Sequence, residues 1–161
     1  MPVIRSVFAT LLFLAATGNG RVLLLQTPDL SGHWINRGTV NLLPPQAGDT
    51  GLPVRGAELS PSLGPNFTAR QSAGALTVDR PVGKGRLITV YSLEGKPSKN
   101  LEPFEETIST AAWKKDRLEV VTRDALQREL RRVIWLEPDG RLTVETTRQG
   151  EHYVTIYARA Q

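Results

Sequence analysis

Cysteine is absent from the 161-residue sequence, and His33 and His152 are its only histidines. The absence of cysteine excludes disulfide bonds and a lipid anchor attached to an N-terminal cysteine. The fold must therefore be stabilised by packing alone, which about 130 residues can provide.

The sequence also lacks a strong charge of either sign, with 20 basic and 16 acidic residues. Arg5 and Arg21 are the only charged residues among the first 26, so the rest has 18 basic and 16 acidic residues. The densest basic clusters, Lys114-Lys115 and Arg128 to Arg132, are not interleaved with aromatics as a nucleic-acid groove would be. We expect them on solvated turns and strand faces, and we expect no nucleic-acid partner.

The first 26 residues are typical of a secretory signal peptide. Met1–Arg5 carries one positive charge, Ser6–Ala16 is apolar, and Ala16–Gly18 offers small residues for cleavage. A membrane span needs about 20 apolar residues, and this run breaks after Thr17. The alternative is an uncleaved anchor, because the apolar run resumes at Val22–Leu25. We therefore predict an exported chain, periplasmic or extracellular, with one domain at 27–161 and no stable membrane span in its mature form.

Short runs of alternating polarity, separated by tight-turn signals, fill most of that domain. The turn signals include Glu94–Pro97, Lys114–Asp116, Pro138–Gly140 and Gln149-Gly150. This pattern is typical of antiparallel strands joined by hairpins. The nine predicted strands are Ser31–Asn36, Asn66–Gln71, Ala75–Arg80, Arg86–Leu93, Phe104–Trp113, Arg117–Asp124, Glu129–Glu137, Arg141–Thr147 and His152–Arg159. No segment is predicted as a helix, and Ala125–Arg128 is interpreted as a wide turn.

The segment from Asn41 to Pro65 is rich in proline and glycine, which both disfavour strands. We predict an irregular loop of this length to be either a lid or a connector. The connector is favoured, because only Leu52, Val54 and Leu59 offer apolar anchors.

A meander of this many strands leaves exposed edges unless it closes. Closure would pair Ser31–Asn36 with His152–Arg159. The predicted fold is therefore an all-β, antiparallel up-and-down barrel of about eight or nine strands. The interior of such a barrel is filled by side chains or holds one small ligand.

Several motifs in this order resemble those of secreted bacterial proteins with a lipocalin-like β-barrel. Ser31–Trp34 resembles their Ser-Gly-x-Trp opening, and Tyr91–Gly95 resembles their Tyr-x-Leu-acid-Gly element. Ser109–Leu118 and Trp135–Leu142 resemble two later strand–turn elements. The resemblance implies a barrel floor in which Trp34 packs inside, Gly32 allows close approach, and a cation such as Arg159 stacks on the indole. That group of proteins has no established activity to carry over.

Three catalytic or metal-binding interpretations of the sequence are weak. Asp29, Ser31 and His33 would lie roughly 6.6–7 Å apart on one strand face, too far for nucleophile activation. His33 and His152 could approach in a closed barrel, but no ligand pair at short spacing supports a metal site. The glutamates at 102, 105, 106, 119, 137 and 145 show no paired-carboxylate spacing. We therefore predict no catalytic residues, no metal, no cofactor and no enzyme activity.

Five aromatic residues on four predicted strands are candidates for lining a ligand cup: Tyr91, Trp113, Trp135, Tyr153 and Tyr157. Core packing is their alternative role, because aromatics dominate cores. The favoured function is non-catalytic binding of a small apolar or amphiphilic ligand. The alternative is a protein-interaction or envelope-structural module with a filled barrel, and a hydrolase or isomerase is least favoured. The sequence leaves the ligand and the oligomeric state open.

Overall fold

Ten antiparallel strands form one sheet in the computed structural model, which describes residues 27–42, 62–102 and 105–161. The strands are β1 (Gly32–Asn41), β2 (Asn66–Gln71), β3 (Ala75–Val82), β4 (Gly85–Ser92), β5 (Ser98–Glu102), β6 (Glu105–Lys114), β7 (Arg117–Arg123), β8 (Glu129–Leu136), β9 (Leu142–Arg148) and β10 (Glu151–Arg159). Neighbours in sequence pair with each other except β4 and β5, which are the two ends of the sheet order. The described residues contain no helix.

The predicted pairing of the first and last strands is confirmed, because β1 pairs with β10 over Trp34 to Asn41. The fold is thus an antiparallel up-and-down barrel that is nearly closed. It has ten strands rather than eight or nine. The strand missing from the prediction is β5, a five-residue segment that directly follows the turn signal Glu94–Pro97.

β4 and β5 face each other across a seam without backbone strand pairing. Side chains of β5 bridge this seam. Asn100 Oδ1 accepts a hydrogen bond from Val90 N at 2.8 Å, and Asn100 Nδ2 donates one to Val90 O at 3.0 Å. Ser98 Oγ accepts a further hydrogen bond from Ser92 N at 2.8 Å. The seam is therefore held by side-chain hydrogen bonds where the other strand pairs use a backbone ladder.

The barrel has two chemically different ends. We call the end near Trp34 and Arg159 the floor end, and the opposite end, near Leu42 and the Ala125–Arg128 turn, the loop end. Apolar side chains pack the interior at the floor end. They include Leu30, Trp34, Ala69, Leu76, Tyr91, Ala111, Leu118, Ile134, Leu142 and Val144. Alternation along each strand aims these residues inward and their polar neighbours outward.

The connection between β7 and β8 is the wide turn that the sequence predicts. Asp124 Oδ1 accepts hydrogen bonds from the backbone N–H groups of Leu126 and Arg128, both at 2.9 Å. This side chain thus supplies the turn's hydrogen bonds locally, as aspartate commonly does in turns.

The predicted signal peptide at 1–26 and the part of the predicted loop at 43–61 lie outside the described residues. The loop's three proposed apolar anchors therefore lie outside them as well. In the part of the chain that is described, no helix has the length and apolar character to cross a membrane.

Candidate functional site

Towards the loop end, the barrel interior changes from apolar to polar. Eight buried polar residues belong to this region: Thr89, Asn100, Thr107, Ser109, Thr122, Arg132, Thr146 and Thr155. Several satisfy one another, as Ser109 Oγ and Thr122 Oγ1 do across β6 and β7 at 2.9 Å. Burying a hydroxyl costs free energy unless it is hydrogen-bonded. Packing alone therefore does not explain why this end of the interior is polar.

Arg132 on β8 is the only charged residue among the buried side chains of the described chain, with 5% of its surface exposed. Its Nε donates to Ser62 Oγ at 3.0 Å, and its Nη2 donates to Ser62 O at 3.4 Å. Its Nη1 has no hydrogen-bond partner among the described residues. The described residues also offer no carboxylate in an ion pair with this guanidinium, which is unusual for a buried charge.

The residues that meet Arg132 come from the connection that precedes β2. Ser62 and Leu63 are 6% and 3% exposed, so this part of the connection enters the barrel. We call Ser62–Gly64 the inserted segment. Gly64 has φ of +88° and turns the chain from the inserted segment toward β2 in a conformation that favours glycine.

Tyr157 on β10 anchors the inserted segment. Its Oη accepts a hydrogen bond from Leu63 N at 2.9 Å and donates one to Gly64 O at 3.2 Å. Its ring meets Phe67 edge-on at 5.0 Å between centroids. Burial raises the pKa of Tyr157 above its ordinary value, so the phenol stays protonated and can donate.

The other cup candidates divide between the two faces of the sheet. Tyr91 is buried in the floor-end core, and Tyr153 lies on the same inward face of β10 as Tyr157. Trp113 packs partly against the core and lines an open depression at the floor end. Trp135 lies on the opposite face of β8 from Arg132, and the Arg117 guanidinium covers its ring at 4.4 Å. The barrel therefore does not bring all five aromatics together in one cup.

Trp34, Gly32 and Arg159 lie close together at the floor end. Trp34 is fully buried, and its Nε1 donates to Leu30 O at 3.0 Å. The Arg159 guanidinium lies 4.9 Å from the centre of the indole. Gly32 has φ of +151°, and a Cβ there would lie 3.5 Å from both Arg159 Cζ and Trp34 Nε1. A side chain at this position would therefore strain the backbone, while its Cβ would make ordinary van der Waals contact with the stacked pair.

The two histidines lie at opposite ends of the β1–β10 pair, so the idea that closure brings them together is wrong. Ala160 N bonds to His33 O at one end, and Leu42 N bonds to His152 O at the other. About eight residues of extended strand separate them, which is roughly 25 Å. The described residues also contain no cluster of three or more metal-ligating side chains.

The residues considered for a nucleophilic triad have separate partners. Asp29 Oδ1 accepts from Ser31 N at 2.9 Å, and Ser31 Oγ accepts from Gln71 N at 2.9 Å. His33 Nδ1 lies 3.1 Å from Thr68 Oγ1 rather than from a serine. These contacts fix the entry to β1 and give no nucleophile–base pair.

Five of the glutamates considered for a carboxylate pair have cations or other local donors as partners: Glu105, Glu106, Glu119, Glu137 and Glu145. Glu119 contacts Lys114 at 2.7 Å and Arg131 at 3.0 Å, and a hydrogen bond from Lys114 lowers its pKa. Glu137 accepts from the Trp135 indole N–H at 2.8 Å. These contacts do not form the pair of facing carboxylates that glycoside hydrolysis uses.

Two parts of the candidate site differ from the sequence prediction. The sequence predicts Arg132 in a basic cluster on solvated faces, but Arg132 is buried. The alternation of Leu130, Arg132 and Ile134 does place Arg132 on an apolar face, yet Val133 and Trp135 make the opposite face equally apolar. The inserted segment had no signal, because a short serine–leucine pair in a proline-rich loop shows no periodicity.

No protein-family model matches the chain, and no curated protein matches it. Solved structures do share its fold. A mutant of the fluorescent protein UnaG is 18% identical with a TM-score of 0.60, and the alignment covers 82% of this chain and 96% of that one. Human cRBP IV is 20% identical with a TM-score of 0.59, covering 83% of this chain and 99% of that one. At these identities the similarity is evidence of the fold alone.

Proposed function

We propose that this barrel is a non-catalytic binding protein for a small amphiphilic molecule with an acidic head group. The single observation that carries the proposal is the buried Arg132 guanidinium, whose Nη1 has no partner among the described residues. Isolating a charge from water is costly unless a partner compensates it. An acidic ligand would provide that partner.

The distribution of polarity in the interior supports an amphiphile over a purely apolar ligand. The loop end offers hydroxyl groups on Thr146 and Thr155 beside Arg132, whereas the floor end offers aliphatic and aromatic surface. A molecule with its acidic group at Arg132 and its apolar part toward the floor would match both regions. The interior of a barrel of about this size is filled by side chains or holds one small ligand.

Two probes with the same aromatic skeleton test this assignment. 1-Anilinonaphthalene-8-sulfonate carries an anionic group, and N-phenyl-1-naphthylamine lacks it. We expect Arg132→Gln to weaken sulfonate binding by roughly 10- to 100-fold, because a charged hydrogen bond is worth about 1.5–3 kcal/mol. Binding of the uncharged amine should change by less than about threefold, and fluorescence titration measures both.

Arg131→Gln is the matched control, because Arg131 adjoins Arg132 in sequence but faces outward, where it pairs with Glu119. Its substitution should leave both dissociation constants unchanged. Equal losses for the two variants, or equal losses for the two probes, would count against an interior anion site at Arg132.

A second candidate function is a protein-interaction or envelope-structural module with a filled barrel. The observation in its favour is that Ser62 and Leu63 occupy part of the interior. Native mass spectrometry of the chain from its producing host separates the two. A discrete adduct lost on denaturation supports a binding protein, and a bare chain favours the filled module.

We also propose that the protein works outside the cytoplasm, on the strength of the N-terminal charge and apolar run. The separate partners of Asp29, Ser31 and His33 support a non-catalytic role. An exported chain that starts near Gln26 is the expected product, and its intact mass is the test.

A further inference from the structure

The inserted segment occupies the position where a ligand head group would contact Arg132. Ser62 Oγ accepts from Arg132 Nε at 3.0 Å and from Thr146 Oγ1 at 2.7 Å. Ser62 N donates to Thr155 Oγ1 at 3.4 Å. The phenol of Tyr157 accepts a further bond from Leu63 N. Interior polar groups of β8, β9 and β10 are therefore hydrogen-bonded to the inserted segment.

The inserted segment satisfies the guanidinium only in part. Two neutral oxygens of Ser62 serve as acceptors, and the bond from Arg132 Nη2 is long at 3.4 Å. Nη1 is left without a partner among the described residues. A carboxylate or sulfonate forms shorter, charge-assisted bonds to arginine, often in a bidentate arrangement. A ligand of this class would therefore satisfy Arg132 better than Ser62 does.

Leu63 of the inserted segment fills the apolar part of the interior next to Ser62. Its side chain is buried in the core cluster together with Phe67 and Tyr157. An apolar group that entered the barrel from the loop end would meet Leu63 before the floor. The inserted segment thus presents a polar group to Arg132 and an apolar group to the core, as an amphiphile would.

We propose that Ser62–Gly64 is a built-in competitor that must leave the interior before an acidic amphiphile can bind Arg132. This inference rests on the proposed function. Insertion and ligand binding are then mutually exclusive, and the apparent affinity falls by the fraction of molecules in which the segment is inserted. The segment keeps the buried guanidinium partly satisfied when no ligand is present.

A reversible disulfide tests the competition. The chain has no cysteine, so Ser62→Cys with Thr146→Cys introduces one unique pair. Their side-chain oxygens lie 2.7 Å apart, which is compatible with an S–S bond of about 2.05 Å. We expect the oxidised double variant to bind 1-anilinonaphthalene-8-sulfonate at least tenfold more weakly than the same protein after reduction.

Leu63→Ala provides the opposite change, because it removes the apolar anchor of the inserted segment and leaves Arg132 in place. Its affinity for the sulfonate should rise several-fold over the unaltered chain. Failure of the disulfide to form under mild oxidation would overturn the inserted geometry. Equal affinity in the oxidised and reduced forms would overturn the competition but leave the ligand proposal intact. No binding by any form, including Leu63→Ala, would overturn the proposed function and the competition with it.

Discussion

The burial of Arg132 is better explained by the proposed binding role than by a role in stability. Its side chain is buried, one of its nitrogens has no partner among the described residues, and its acceptors are neutral. Residues that serve only stability are normally paired when they are buried and charged. A cost of this kind is commonly tolerated where a side chain serves binding.

Arg132→Met should therefore leave the ligand-free protein as stable as the unaltered chain, or more stable by about 1–2 kcal/mol. Methionine has a similar length, removes the buried charge and adapts to irregular space. Urea denaturation without ligand measures the change in unfolding free energy. A loss of more than about 2 kcal/mol would indicate that Arg132 is a structural residue.

Leu118→Ala serves as the reference for a purely structural position. Leu118 is fully buried in the floor-end core, and its truncation should cost about 2–5 kcal/mol. Obtaining that loss while Arg132→Met loses nothing would separate the two classes of interior residue. The sequence could identify Leu118 as inward-facing, because its neighbours Glu119 and Arg117 are charged, but it gave Arg132 no such contrast.

At the scale of secondary-structure elements, the seam between β4 and β5 is the part of the barrel with the fewest backbone hydrogen bonds. β5 is short and polar, and its inward-facing Asn100 uses its amide to bond the backbone of Val90. The inward-facing position of β5 is a polar asparagine, so β5 shows no alternation of apolar and polar residues in the sequence. For this reason the pattern predicted nine strands, and the tenth was missed.

Asn100→Ala should open this seam locally. The substitution removes two buried hydrogen bonds, and each is worth about 0.5–1.5 kcal/mol. Hydrogen exchange of β4 amides, followed by mass spectrometry, should accelerate by about tenfold or more, while β7 to β9 keep their protection. Acceleration of the same size in all strands would mean that the seam does not open independently.

Thr122→Val is the control for that experiment. It removes the buried bond between Thr122 and Ser109 from β6 and β7, which keep their backbone pairing. Exchange in β4 should not change. A selective effect of Asn100→Ala, absent from Thr122→Val, would attribute the protection of β4 to the Asn100 amide.

At the scale of the whole molecule, the barrel was predictable because its pairings are almost all between neighbours in sequence. Turn signals predicted the hairpins, and the pairing of β1 with β10 was predicted from the tendency of such a sheet to avoid open edges. The inserted segment was not predictable, because Ser62 meets partners 70 to 93 residues away. Its contacts depend on the finished barrel and on no local pattern.

The stability of the whole chain should fall on both sides of neutral pH. Hydrogen bonds lower the pKa values of Asp29, Asp79, Glu119 and Asp139 in the folded state. Their contribution is present above about pH 4 and is lost as the pH falls through the lowered values. Urea denaturation at pH 7 and pH 3 should show lower stability at pH 3, and equal stability at both would contradict this prediction.

Tyr157 contributes to the expected loss of stability at alkaline pH. Its folded pKa is raised above the ordinary 10.0 by burial, so above pH 10 the unfolded chain releases this proton and the folded chain keeps it. Stability is therefore fully present below pH 10 and declines as the pH rises further. Between pH 8 and pH 11, the unaltered chain should lose about 1.4 kcal/mol more unfolding free energy than Tyr157→Phe. Tyr153→Phe, on the same face of β10 at the loop end, is the comparison, and an equal effect there would mean that burial of the Tyr157 phenol is not the cause.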